Sequence, residues 1–180
     1  MKILKKILIG LVGIVALLLI VALFVKKEYS VEREVVIGKP TADVFAYVKF
    51  IKNQNNYSVW NMKDPNSKME YTGTDGTVGF ISSWDSEMED VGKGEQEIKG
   101  ITEGSRIDME LRFKKPFEAT DYAYMSTEAA GENQTKVKWG FNGKMPYPMN
   151  LMLLCMNMDN MLGKDLETGL LNLKNILEKQ

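Results

Sequence analysis

Residues 106–142, RIDMELRFKKPFEATDYAYMSTEAAGENQTKVKWGFN, read as three consecutive strands with short bends between them. Successive side chains of a strand point to opposite faces, and here they alternate in kind as well. Ile107, Met109, Leu111 and Phe113 fall on one face, and Arg106, Asp108, Glu110 and Arg112 fall on the other as a solvated ladder. Val137, Trp139 and Phe141 repeat the apolar face on the third strand. Tight spacing implies antiparallel neighbours, and Gly131-Glu132-Asn133 supplies a bend because glycine and asparagine accept positive φ cheaply.

The same reading extends upstream. Residues 68–72, 77–85 and 94–102 are predicted strands, joined through Gly73-Thr74-Asp75-Gly76, Asp90 to Gly94 and Glu103-Gly104. Their inward sets are Val78, Phe80, Ser82 and Trp84 on one strand and Gln96 and Ile98 on the next, with Glu95 and Glu97 outside. The spacing of Gly73, Gly76 and Gly79 mimics a phosphate loop, but neither a helix start nor a Lys-Ser/Thr pair follows, so it reads as a hairpin turn. A further strand is predicted over 29–37. Thr41 is placed to cap a short helix marked by Val44, Phe45, Val48 and Ile51, and Trp60 followed by Asp64-Pro65-Asn66 marks a turn or second short helix. Residues 53–58 are too polar for a core helix. After Pro146-Tyr147-Pro148 the period changes, and Leu151, Leu154, Met158, Leu162, Leu166, Leu170, Leu173 and Leu177 mark one face of a single long helix over 149–178, roughly 45 Å in length. Gly163 and Gly169 are its weak points or its sites of close approach.

Residues 7–25, ILIGLVGIVALLLIVALFV, form an unbroken apolar run from Ile7 to Val25, flanked by lysines on both sides. A helix of this length reaches roughly 28 Å, close to the thickness of a bilayer's hydrocarbon core. The run ends Ala22-Leu23-Phe24-Val25, without a small-x-small cleavage site, and the chain's single cysteine, Cys155, is far downstream of any lipoprotein position. The expected organisation is therefore a transmembrane signal-anchor over 1–28 and one domain over 29–180, single-pass, with the three-lysine tail in the cytoplasm and the domain outside it. A tether of six residues, 26–31, reaching at most about 20 Å, would keep the domain at the bilayer surface.

Composition excludes several chemistries. With no histidine and one cysteine, histidine-dependent catalysis, histidine metal sites, a zinc cluster and an internal disulfide are unavailable. Five of the 23 basic residues precede Glu28, the first acid, so residues 28–180 carry 18 basic and 24 acidic side chains, net −6. Nucleic acid is not an expected partner, because the cations are dispersed among acids. No metal and no cofactor are expected. Soft copper(I) ligation by Met145, Met149, Met152, Met156, Met158 and Met161 is disfavoured because these methionines fall on several helix faces.

The order strand, helix pair, six antiparallel strands and long C-terminal helix resembles the helix-grip fold of the START-like (SRPBCC) superfamily. Trp60, Asp64-Pro65, Gly76-x-Val78-Gly79, Trp84, Gly92-x-Gly94, Ile98, Phe113 with Pro116, Val137-x-Trp139 and Leu170-x-x-Leu173-Lys174 look like its polyketide cyclase/dehydrase branch, over roughly residues 30–178. The resemblance implies an α+β fold: about seven curved antiparallel strands wrapped on a long C-terminal helix, here preceded by one transmembrane helix. It also implies an apolar ligand between sheet and helix, and it carries over no catalytic residue. The candidate ligand-binding residues are Phe80, Ser82, Trp84, Gln96, Ile98, Met109, Leu111, Phe113, Trp139 and Phe141 on the inward faces, Tyr122 and Tyr124 as isolated polar groups of the wall, and Met152 and Met158 on an adaptable lid. The expected function is a membrane-anchored binding protein for a lipid or other apolar small molecule. A polyketide cyclase/dehydrase-like enzyme using Tyr122, Tyr124, Gln96 or an inward carboxylate, and an envelope interaction or stress protein with a filled core, are the alternatives.

Overall fold

The computed structural model describes residues 2–179; the outermost residues of the two expected units, Met1 and Gln180, lie outside the described residues. Helix α1 (Lys2–Phe24) is the apolar run, and its stretch Ile3–Phe24 is long and apolar enough to cross a membrane. Its side chains are exposed along nearly the whole length, with Ala22 the buried exception.

Seven strands follow: β1 (Glu28–Ile37), β2 (Lys68–Thr72), β3 (Ile81–Asp85), β4 (Lys93–Thr102), β5 (Arg106–Lys115), β6 (Ala119–Gly131) and β7 (Gln134–Lys144). They form one curved antiparallel sheet in the order β1-β7-β6-β5-β4-β3-β2, so the last strand lies beside the first and both edges belong to early segments. Between β1 and β2 come α2 (Thr41–Val48), a 3-10 turn (Ile51–Asn56) and α3 (Val59–Lys63). A second 3-10 turn (Met149–Leu154) precedes α4 (Met158–Lys179), which lies across the concave face. This is the α+β helix-grip arrangement.

Helix α4 turns Leu166, Leu170, Leu173 and Leu177 inward, at the three- and four-residue spacing that makes one stripe. Each fully buried leucine contributes roughly 1.5–3 kcal/mol of burial. The helix is anchored at both ends. Arg33 of β1 forms a two-pronged ion pair with Asp159 (2.8 and 2.9 Å), and Glu178 accepts the Gly38 N–H at 2.7 Å. The two helix glycines are sites of close approach: Gly163 lies under the Arg33 guanidinium and Gly169 under the Trp139 indole.

Several expectations are corrected. One helix over 149–178 is in fact two pieces, because the Asn157 side chain caps α4 by accepting the Asn160 N–H (3.0 Å) and the preceding turn is held elsewhere. Residues 51–56 do form a helical turn, with Gln54 buried. Thr41 is the first helical residue and Pro40 takes the cap position. Val78 lies in the turn before β3, 61% exposed, so its alternation with Phe80 has no ladder to sustain it. The six-residue tether shrinks to residues 25–27, since β1 is paired from Glu28 onward.

Candidate functional site

Register divides the concave face lengthwise. Glu28, Lys144, Ala119, Lys115, Lys93, Asp85 and Lys68 all lie at the end of the sheet where α1 enters. Ile37, Thr135, Ser126, Arg106, Thr102 and Thr72 lie toward the opposite end. At that far end the inward side chains pack solidly. Ile37, Ile98, Ile107, Met109, Met125 and Val137 are buried, with Val44, Phe45 and Val48 of α2 and Ile51 and Tyr57 closing over them. The Tyr57 ring meets Trp139 edge-on at 5.7 Å, and its buried hydroxyl, whose pKa desolvation pushes up, points at the Met125 sulfur.

Toward the α1 end the same face opens into a cavity of about 430 Å³. Its aromatic walls are Trp60, Trp84, Phe113, Trp139 and Phe141, so all three tryptophans of the chain line it. Leu111, Ala123, Leu162 and Leu166 complete the apolar lining. Nine of the lining residues are polar, six of them from the segment between α2 and β2. On the floor, the Gln54 and Gln96 amides both donate to the Met109 thioether, a weak acceptor, so their hydrogen-bonding capacity is mostly unspent. Nearer the mouth, the Ser67 hydroxyl is buried without a partner.

The exposed lining residues Pro65 and Asp90 put an opening between the end of α3 and the β3–β4 loop, which are tied together twice. The Ser86 hydroxyl donates to Asp64 at 2.5 Å, and Lys63 pairs with Asp90, an interaction that raises the lysine pKa and lowers that of the aspartate. Asp64 and Asp90 are thus engaged at the rim, and the lining contains neither lysine nor arginine. Among the described residues no group of three or more His, Cys, Asp or Glu side chains is arranged to hold a metal ion.

Of the residues expected at the site, Ser82, Trp84, Gln96, Leu111, Phe113, Trp139 and Phe141 come together in this lining. Phe80, Ile98 and Met109 share the face but sit on its packed half, each at most 1% exposed. Tyr122 and Tyr124 are on the opposite, convex face, because β6 turns Asp121, Ala123 and Met125 inward. Tyr124 instead donates to Glu32 of β1, and burial together with that carboxylate pushes its phenol up to about 12. Met152 is exposed on the 3-10 turn beside α1, and Met158 packs against the core at the start of α4, so neither forms a lid. Glu95 and Glu97 face outward, bound by Arg112. Of the lining residues missed by alternation, Gln54, Asn55, Ser58, Asn61, Asp64 and Ser67 belong to the irregular segment between α2 and β2, while Ala123 is the inward residue between the outward Tyr122 and Tyr124. For the irregular segment, its richness in asparagine and serine beside Trp60 was the available signal.

No protein-family model and no curated protein matches this sequence. Solved structures do share its fold. Norcoclaurine synthase from Thalictrum flavum, in truncated form, superposes with a TM-score of 0.63 at 9% identity, over 85% of this chain and 95% of that one. Ara h 8.0201 gives 0.56 at 12% identity over 85% and 99%, and a solution structure from Thermobifida fusca gives 0.56 at 17% over 83% and 93%. At such identities the likeness establishes the fold alone, and it places this chain among helix-grip proteins.

Proposed function

We propose that this chain is a membrane-anchored binding protein for an uncharged apolar small molecule or lipid, related to the polyketide cyclase/dehydrase-like branch of the START-like superfamily. Helix α1 would be the anchor, with the three-lysine tail in the cytoplasm and the domain outside. The observation that carries the reading is the cavity: an aromatic chamber with two under-used amides on its floor and an unpartnered hydroxyl near its mouth. Open volume favours binding over a filled-core interaction protein. Both carboxylates of the lining are engaged in rim contacts, which suits closure of the mouth better than proton transfer.

The ligand class follows from charge. An ionised fatty acid would find no cation in the lining, whereas a neutral ring system or isoprenoid bearing a hydroxyl or carbonyl would find aromatic surface and the Gln54/Gln96 amides. The test is a titration of the detergent-solubilised full chain with the neutral probe N-phenyl-1-naphthylamine and with oleate, following tryptophan emission. The neutral probe should quench it and oleate at pH 8 should not compete. Ala123→Phe, which fills the chamber, should abolish the response. Absence of any response to neutral apolar probes in a folded chain sinks the binding reading.

A further inference from the structure

The segment 145–157, MPYPMNLMLLCMN, contains no charged residue, and its 3-10 turn is held against the last turn of α1. Buried Asn150 donates from its side-chain amide to the carbonyls of Ala22 (2.7 Å) and Val25 (2.9 Å), groups that a helix end leaves without intrahelical partners. Met145 N–H donates to the Lys27 carbonyl at 2.8 Å. The 3-10 turn therefore sits level with the end of the apolar helix. Three of its apolar side chains are nonetheless turned to solvent: Met149, Met152 and Leu154 are 46%, 40% and 63% exposed. The β5–β6 turn lies at the same end of the sheet and carries Phe117, 74% exposed, beside Lys114 and Lys115.

We propose that the 145–157 segment and the Phe117 turn form a foot embedded in the bilayer, at the boundary of headgroups and acyl chains in the leaflet from which α1 emerges. This rests on the reading of α1 as a membrane span. Ile3–Phe24 spans about 33 Å at 1.5 Å per residue, so with α1 across a hydrocarbon core of about 30 Å its last turn falls at that boundary. Whatever is bonded to that turn falls there too. The occupant of the exposed apolar face is then the bilayer that α1 already crosses, by continuity of one apolar surface. Acids (Glu87, Glu89, Glu118) stand at this end of the sheet among its lysines (Lys93, Lys115, Lys144), so the foot rests on apolar burial rather than on a surface of one charge. The cavity mouth, framed by Asp64 and Asp90, is at this end as well, which lets an apolar ligand pass between bilayer and chamber with little exposure to water.

The chain's one cysteine supplies the probe, since Cys155 is exposed within the segment. Full-length protein in dioleoylphosphatidylcholine vesicles is labelled with a nitrobenzoxadiazole dye at Cys155, or in a Cys155→Ser background at Phe117→Cys or, as the far-end control, Glu132→Cys. Labels at 155 and 117 should emit to the blue of the control and be quenched several-fold more by shallow lipid nitroxides, with no dependence on salt. Should the protein resist alkaline carbonate extraction while labels at 155 and 117 are as open to aqueous iodide as the label at 132, the foot is overturned and the anchor stands. Release by carbonate overturns both.

Discussion

Gly169 leaves no room for a side chain: a Cβ there would lie 2.8 Å from the Trp139 ring, one of the cavity walls. Because an indole cannot yield by a rotamer adjustment as a lysine can, Gly169→Ala should cost about 1–3 kcal/mol and move the tryptophan emission, both readable in a urea titration. Asp121 offers a test in pH. It is buried, and burial raises its pKa above the ordinary 3.8, opposed by the Lys144 N–H it accepts at 3.0 Å. A carboxyl that ionises less readily when folded binds its proton preferentially in the folded state, so stability falls as pH rises from the ordinary range through the elevated value. Asn retains an acceptor for the same N–H. Asp121→Asn should therefore be at least as stable as the parent at pH 7, with the difference fading below the ordinary aspartate range; a loss at neutral pH would show that the charge is needed.

At the scale of elements, the convex face of β4 and β5 is held by Arg112, which reaches Glu95 (2.7 Å), Glu97 (2.7 Å) and Glu110, while Lys114 takes the second oxygen of Glu95 (2.8 Å). Lys114 and Arg112 hold Glu95 below the usual carboxylate range, and Arg112 and Lys99 do so for Glu97. Their depressed values add stability above the ordinary glutamate range, and that stability drains away as pH falls from that range through the depressed values. Arg112→Ala should cost roughly 1–2 kcal/mol at pH 7, leaving three acids crowded on adjacent strands, and should flatten the acid limb of a stability profile. Strand existence and facing were legible for β4, β5 and β7, because period two is written in every residue of an amphipathic strand. Depth along the strand was not: Met109 and Leu111 have the same pattern, yet one is sealed in the core with the Gln54 amide against its sulfur and the other borders open space. Which helix covers which half is a tertiary fact with no local signature. The break at 155–157 was hidden for a related reason, since apolar residues continue through it and only the Asn150 and Asn157 hydrogen bonds mark the change.

On the scale of the whole molecule, the division into a packed half and an open half predicts unequal sensitivity to truncation along one helix. Leu173, fully buried in the packed half, should lose about 2–5 kcal/mol on change to Ala, whereas Leu162, beside existing space, should lose roughly 1 kcal/mol, because the cavity term is already present there. Equal losses would contradict the division. The pairing of β1 with β7 has a consequence in the order of synthesis. Glu28 meets Lys144, so the first strand to leave the ribosome waits for the last one. At about 5–20 residues per second that wait is roughly 5 to 25 seconds, during which an edge with unpaired amides stands next to the apolar helix α1. Glu28, Glu32 and Glu34 give that waiting edge a charged exterior, which discourages pairing with another nascent copy until its own partner arrives.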